Sequence, residues 1–238
     1  MTAQDAHNRT TKPVVIRPAG TMLLVRDGAR GIEVLTLKRS LKMRFLPGHI
    51  AFPGGSLDEG DWQFAGASNG FAVIAQEQPD DNAYAFAALR ECAEEVGFAC
   101  ALCKSGERLD ERRLTLFDQQ RLLKSELRYE DWLHEQGLKL DLSRLRFVGR
   151  WVTPPAMPAR FDTRFFLYHM NKPRLTPSVN LDENDWAQWV EARSVVSQIA
   201  EGKLAAVPPT IAMLEGLGRY PKVDACFADL KVPGPPAL

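Results

Sequence analysis

The chain has 238 residues, 45% of them hydrophobic and 25% charged, an ordinary globular composition with enough length for a sizeable core. Its 30 basic and 30 acidic residues cancel, so charge alone points to no nucleic acid and no membrane surface. Four cysteines in so long a chain do not make a disulfide framework, and the longest aliphatic runs, such as Met22 to Val25, fall far short of a membrane span.

Residues 1 to 12 are polar, lack the apolar centre of a signal peptide and are expected to form a loose tail, with the cytoplasm as the default location. Val14 to Val25 is apolar and β-branched, a strand with an interruption expected around Pro18 to Gly20. Asp27 to Gly31 is a turn, and Ile32 to Lys38 returns as the second strand of a hairpin. Leu41 to Phe52 reads as a loop that carries Arg39, Arg44 and His49 toward Phe52-Pro53-Gly54-Gly55. Trp62 to Asp81 reads as an irregular loop with aromatic anchors Trp62, Phe64 and Phe71, which either covers a site or packs on the surface.

Ala83 to Val96 has the period of a helix. Ala85, Ala88, Leu89, Cys92 and Val96 form an apolar stripe, and Glu91, Glu94 and Glu95 project together from the other, outward side. Asp80, Asp81 and Asn82 offer caps at its start, and Gly97 is placed to end it. Three carboxylates on one patch repel, and only Arg90 interleaves them. A divalent cation would remove that repulsion, and oxygen-only donors suit a hard ion such as Mg²⁺ or Mn²⁺ that also binds phosphate.

Beyond Gly97 a short strand is expected over Phe98 to Cys103; its Cys100-x-x-Cys103 lacks a second pair and reads as reduced and structural. Leu116, Leu123 and Leu127 recur at helical spacing, and Tyr129 to Gln136 is a second helix ended by Gly137. Strands follow at Arg146 to Thr153, Arg160 to Tyr168 and Trp186 to Val190, then helices at Glu191 to Gly202 and Pro208 to Leu217. Residues 221 to 238 are a Pro-rich tail that wraps or dangles, and Pro236-Ala237-Leu238 is no peroxisomal signal.

Gly55, five residues, Asp61, and then Arg90-Glu91-Cys92-Ala93-Glu94-Glu95-Val96-Gly97-Phe98 together resemble the signature of the Nudix hydrolases, with Asp61 where that family has Glu. The two halves are separated by Trp62 to Leu89, 28 residues where the family pattern has seven. The resemblance leaves open whether Asp61, Asp80 or Asp81 serves for the missing Glu. Leu35, Arg39, Ser40, Arg44, Gly48 and Phe52 to Gly55 fall in register with the pattern of the coenzyme A diphosphatase branch, and Trp151 to Pro154 with Arg160 to Phe166 is similar to its long-insert members.

The resemblance implies a Nudix-type α/β/α sandwich with a mixed central sheet over residues 13 to 220, carrying insertions at about 62–81 and 104–145. It implies hydrolysis of the diphosphate linkage of a small nucleoside diphosphate derivative, with coenzyme A or an acyl-CoA as leading substrate. Glu91, Glu94, Glu95 and the Gly55 carbonyl would hold Mg²⁺ or Mn²⁺. Glu91 or Glu183 would act as base, Arg90 would orient the carboxylates, and Arg39, Arg44, Gly54 and Gly55 would bind substrate. An ADP-ribose, dinucleotide or sugar-nucleotide hydrolase is the neighbouring alternative, and a binding or regulatory module without turnover is the alternative of another class. Oligomeric state stays open, a homodimer included.

Overall fold

The computed structural model of the chain describes residues 14–67, 72–172 and 174–235. The tail expected over residues 1 to 12, Phe71 of the expected insert and the last three residues lie outside the described residues. Strands β1 (Ile16–Asp27) and β2 (Ile32–Arg39) form the opening hairpin, β3 (His49–Ala51) and β4 (Gly54–Ser56) flank Phe52-Pro53, and α1 (Glu59–Ala67) precedes the long helix α2 (Asp81–Val96). Short strands β5 (Phe98–Ala99), β6 (Leu102–Lys104), β7 (Glu107–Arg108) and β8 (Arg112–Arg113) lead to α3 (Leu116–Leu123), α4 (Tyr129–Glu135) and β9 (Lys139–Leu140). Then come β10 (Arg146–Val152), β11 (Arg160–His169), β12 (Asn184–Glu191), α5 (Ala192–Ala200), β13 (Ala205–Ala206), α6 (Pro208–Leu217) and α7 (Val223–Asp229).

Eight strands make one mixed sheet in the order β10-β11-β1-β2-β3-β13, with β4 added to β1 and β12 to β2. β1 runs parallel to β11 from Ile16 opposite Arg160 to Val25 opposite His169. Its other edge is divided, since Val25 to Asp27 pair with β2 whereas Ala19 to Thr21 pair with β4. β1 and β2 therefore part company, and the chain crosses the fork at Pro53, whose carbonyl accepts from Met22 N at 2.8 Å. The interruption expected at Pro18 to Gly20 does not occur. The unbroken ladder with β11, and Leu57 N–H on the Pro18 carbonyl at 3.0 Å, keep this stretch extended.

Alternating side chains bury both faces of the sheet. Met22, Leu24, Leu35 and Leu37 pack under α2, while Leu23, Val25, Ile32 and Val34 pack against Val195 of α5, Met213, Leu214 and Leu217 of α6, and Cys226 of α7. This is an α/β/α sandwich. Beyond residue 220 the chain does not stand free of it: α7 forms, and Val232 N–H donates to Val148 O, drawing the ending onto β10. Among the described residues no helix is long and apolar enough to cross a membrane.

The insert after the glycines is not irregular throughout. Asp58 Oδ1 accepts from Asp61 N–H at 3.0 Å, while Asp61 Oδ2 accepts from Asp58 N–H at 2.9 Å, a reciprocal capping box that starts α1. Phe64 stacks on Phe86 at 4.0 Å and Trp62 meets Tyr84 edge-on at 5.8 Å, so the aromatic anchors fix α1 along α2.

α2 rests on the backbone of β1. A Cβ at Gly20 would run into the Tyr84 carbonyl, so glycine lets helix and strand touch. At its start Arg164 Nη1 lies 2.7 Å from Asp80 and 2.6 Å from Asp81, with the guanidinium 3.6 Å above the Tyr84 ring. Asp81 is fully buried, and its other oxygen accepts from Glu77 and Gln78 N–H. Arg164→Met should thus leave a buried charge unpaired and cost about 3–5 kcal/mol in urea denaturation at neutral pH. The hydrogen bond from Arg164 holds the Asp80 carboxyl below its ordinary value of 3.8, so this stabilisation is present above that pH and is lost as pH falls through the folded pKa. The difference between wild type and variant should accordingly narrow below about pH 4; a gap that stays constant to pH 2 contradicts the pairing.

Candidate active site

The face of α2 bearing Glu91, Glu94 and Glu95 does not point outward as its sequence pattern suggests. β4 and α1 lie against it, Glu95 is buried, and the side chains of Glu91 and Glu94 are only 17% and 18% exposed. The reason lies in the partners the charges find. Arg90 Nε and Nη2 meet the two oxygens of Asp61 at 3.0 Å each, a parallel fork, and Nη2 also donates to Ser56 O at 3.0 Å. Arg90 Nη1 reaches Glu91 Oε1 at 3.0 Å and Glu94 Oε2 at 3.2 Å. Glu95 Oε2 accepts from Gly54 N–H at 3.0 Å.

Asp61 is fully buried and spoken for by Arg90, while Asp80 and Asp81 are held by Arg164 at the opposite end of the helix. Of the three acidic residues considered for the missing Glu, only Asp61 therefore touches this face, and it does so as a partner of Arg90.

Burial sets the electrostatics. It pushes the Glu94 carboxyl up to about 8 against the pull of Arg90, with the Glu91 charge adding to the rise. It raises Glu91 in the same way, and Glu95 further, where Glu91 and Glu183 repel and Arg39 attracts. Glu183, half-buried in the turn before β12, and Arg39 at the end of β2 thus both lie within Coulombic reach of Glu95. A backbone bond ties them together: Ser40 N–H donates to Glu183 O at 2.8 Å. Arg44 is exposed on the neighbouring loop, and His49 Nδ1 lies 3.0 Å from Pro47 O.

Gly54 and Gly55 owe their place to close approach. A Cβ on Gly54 would meet the Gly20 carbonyl and Thr21 Cα of β1, and one on Gly55 would overlap the Glu91 carboxylate. Bare backbone is what lets β4 slide between β1 and the carboxylates.

Three residues escaped the sequence pattern. Gln119 of α3 donates through Nε2 to Glu94 O and Ser178 O, both at 2.8 Å, and Asn180 N–H donates to Glu95 O at 3.2 Å, so the segment leading to Glu183 is tied to the end of α2. No local motif marks either residue. Asp58 could have been found from the Asp-x-x-Asp spacing of its capping box. A cavity of about 410 Å³ opens beside Arg90 and Glu94, between α1 and the α3–α4 turn.

No family model matches the chain. A crystallised NUDIX hydrolase from Alicyclobacillus acidocaldarius is 41% identical, superposes with a TM-score of 0.87, and is matched over 93% of this chain and 99% of its own. The chain belongs to the Nudix hydrolase family. A Caenorhabditis elegans relative bearing the name nudix hydrolase 7 is 26% identical over 222 residues, which are 91% of this chain; the chain spans 66% of that relative's length.

Nudix hydrolases act with divalent cations, and the donor set here suits one. Glu91, Glu94 and Glu95 are hard oxygen donors on one helix face, and the Gly55 backbone presses on one of them without a side chain between. Among the described residues no three acidic, His or Cys side chains already converge on one point. Arg90 Nη1, which bridges Glu91 and Glu94, keeps those two turned toward itself.

The two glycines should separate on substitution. Gly54→Ala collides with backbone that cannot yield and should cost about 1–3 kcal/mol of stability. Gly55→Ala meets only a side chain and should fold with near-wild-type stability while weakening Mg²⁺ binding measured by calorimetry. Equal loss of stability in both variants argues against the wedge.

Proposed function

We propose that this Nudix hydrolase cleaves the diphosphate linkage of a nucleoside diphosphate derivative, and that coenzyme A or an acyl-CoA is its substrate, giving 3′,5′-ADP and 4′-phosphopantetheine or its acyl form. The observation that carries the reaction class is the half-buried face of Glu91, Glu94 and Glu95 with Glu183 and Arg39 in Coulombic reach. The choice of coenzyme A rests on the Arg39 to Gly55 pattern.

Glu91, Glu94 and Glu95, with the Gly55 carbonyl, are the residues that would hold Mg²⁺ or Mn²⁺. A divalent cation bound there supplies neutralisation of the diphosphate charge and a water acidic enough to react near neutral pH. Arg90 orients Glu91 and Glu94, and its own charge is fixed by Asp61. Glu183, which has no ion-pair partner among the described residues, takes the proton from the attacking water, a role that Glu91 would fill only by leaving Arg90. Arg39 and Arg44 bind phosphate oxygens; among the described residues Arg39 spends only its Nε, on Phe45 O at 3.2 Å, and Arg44 is exposed. The backbone of Gly54 and Gly55 lets the diphosphate approach the carboxylates.

Incubation of the purified chain with Mg²⁺ or Mn²⁺ and a panel of coenzyme A, acetyl-CoA, ADP-ribose, NADH and a diadenosine polyphosphate tests this, with products followed by chromatography and Glu94→Gln as control. Release of 3′,5′-ADP from coenzyme A, reduced at least 100-fold in the variant, is the expected outcome. Turnover of only the other compounds discards coenzyme A and keeps the carboxylate face. Binding without turnover replaces the hydrolase with a ligand-binding module.

A further inference from the structure

Asn184 enters neither the motifs nor the proposed reaction. It follows Glu183 directly, opens β12 and stands opposite Arg39 of β2. Asn184 is 0% exposed, and among the described residues neither Oδ1 nor Nδ2 has a hydrogen-bond partner. An unpaired buried carboxamide is costly, and native chains keep few such groups without a use for them.

The register shows what it faces. Leu35 and Leu37 of β2 pack under α2, so alternation puts Arg39 on that same side, and its cross-strand partner Asn184 beside it. A β-bulge between Asn184 and Trp186 returns Trp186 to the opposite core. The carboxamide therefore lies between the sheet and the C-terminal half of α2. There Asn180 N–H is bonded to Glu95 O, and Asn184 N–H donates to Asn180 O at 3.0 Å.

Arg39 is under-used in the complementary sense. Its Nε donates to Phe45 O, and among the described residues its two terminal nitrogens have no partner. A guanidinium has only donors, and Asn184 Oδ1 is an acceptor without a donor. Directly opposed side chains on one face of a sheet sit with Cβ atoms about 4.5–5.5 Å apart, within reach of each other.

We infer that Asn184 is a positioning residue for Arg39: when a diphosphate draws the guanidinium over the acidic face, Asn184 Oδ1 accepts a terminal N–H and turns the remaining donors toward the phosphate oxygens. This rests on Arg39 being a substrate-binding residue. The carboxamide then serves the liganded state and contributes nothing to the stability of the free protein.

Titration calorimetry with ADP and Mg²⁺ tests it on wild type, Arg39→Ala, Asn184→Leu and the double variant, together with melting of each metal-free protein. Asn184→Leu should weaken ADP binding about fivefold to tenfold with an unchanged or higher Tm, and should add nothing in the Arg39→Ala background. Because leucine differs in shape, Asn184→Ala is run in parallel and should show the same loss of affinity. Additive losses, wild-type affinity in both Asn184 variants, or a fall in Tm or failure to fold in both would overturn the inference. If Arg39→Ala binds ADP as wild type does, the substrate role of Arg39 fails and this inference with it. If Arg39→Ala weakens binding and the Asn184 variants do not, only the inference fails. None of these readings needs turnover, so an inactive wild type bears on the proposed reaction alone.

Discussion

One guanidinium organises the acidic end of this molecule. Arg90, 9% exposed, holds Asp61 in a fork, the Ser56 carbonyl, Glu91 and Glu94. Burial alone would pull its own pKa down, but the bond to Asp61 and the charges of Glu91 and Glu94 outweigh that and keep it cationic. Removing a buried charge from such a set leaves its partners uncompensated, which is why this contact constrains more than a surface ion pair does. Through it β4 and α2, which the long insert separates in sequence, meet α1 of that insert at one point. The carboxylates can then be crowded together and still be ionised near neutral pH only with cationic help, from Arg90 or from a metal ion.

The fork in the sheet supplies the space. β1 gives part of one edge to β2 and part to β4, so the strands that carry Arg39 and Gly55 diverge in front of α2. Two glycines without Cβ atoms let β4 enter, and a third at Gly20 lets α2 descend onto β1. Close packing converts small residues at these positions into the short distance between backbone and carboxylate.

Much of this was legible in the residues. The limits of α6, the Gly97 cap of α2 and the grouping of its glutamates followed from periodicity and capping rules that act locally. The orientation of the acidic face did not, because polar residues at helical spacing look alike whether they meet water or a buried arginine. The continuity of β1 through Pro18 and Gly20 was hidden for a similar reason: breaking residues predict a break, and the parallel partner that overrides them lies more than 140 positions away in the sequence. α1 was missed because Gly60 and Gly66 read as breaks in a helical pattern, although its capping box is local. The roles of Gln119, Asn180 and Arg164 are set wholly by tertiary contact.

The position of Glu183 follows from the chemistry of a helix end. The last four carbonyls of α2 have no partners within the helix beyond what its cap supplies. Ala93 O receives Gly97 N–H, Glu94 O receives Gln119 Nε2, Glu95 O receives Asn180 N–H and Val96 O receives Ser178 N–H. Three of the four are therefore satisfied by segments from elsewhere in the chain, and two of those donors lie on the stretch that ends at Glu183. The same helix that presents three carboxylates on its side thus draws a fourth toward them through its own terminus, and the Ser40 to Glu183 bond then sets that stretch against the strand carrying Arg39. The α2 carboxylates, Glu183 and the strand of Arg39 are brought together by backbone groups that had to be satisfied, before any attraction between the side chains is counted.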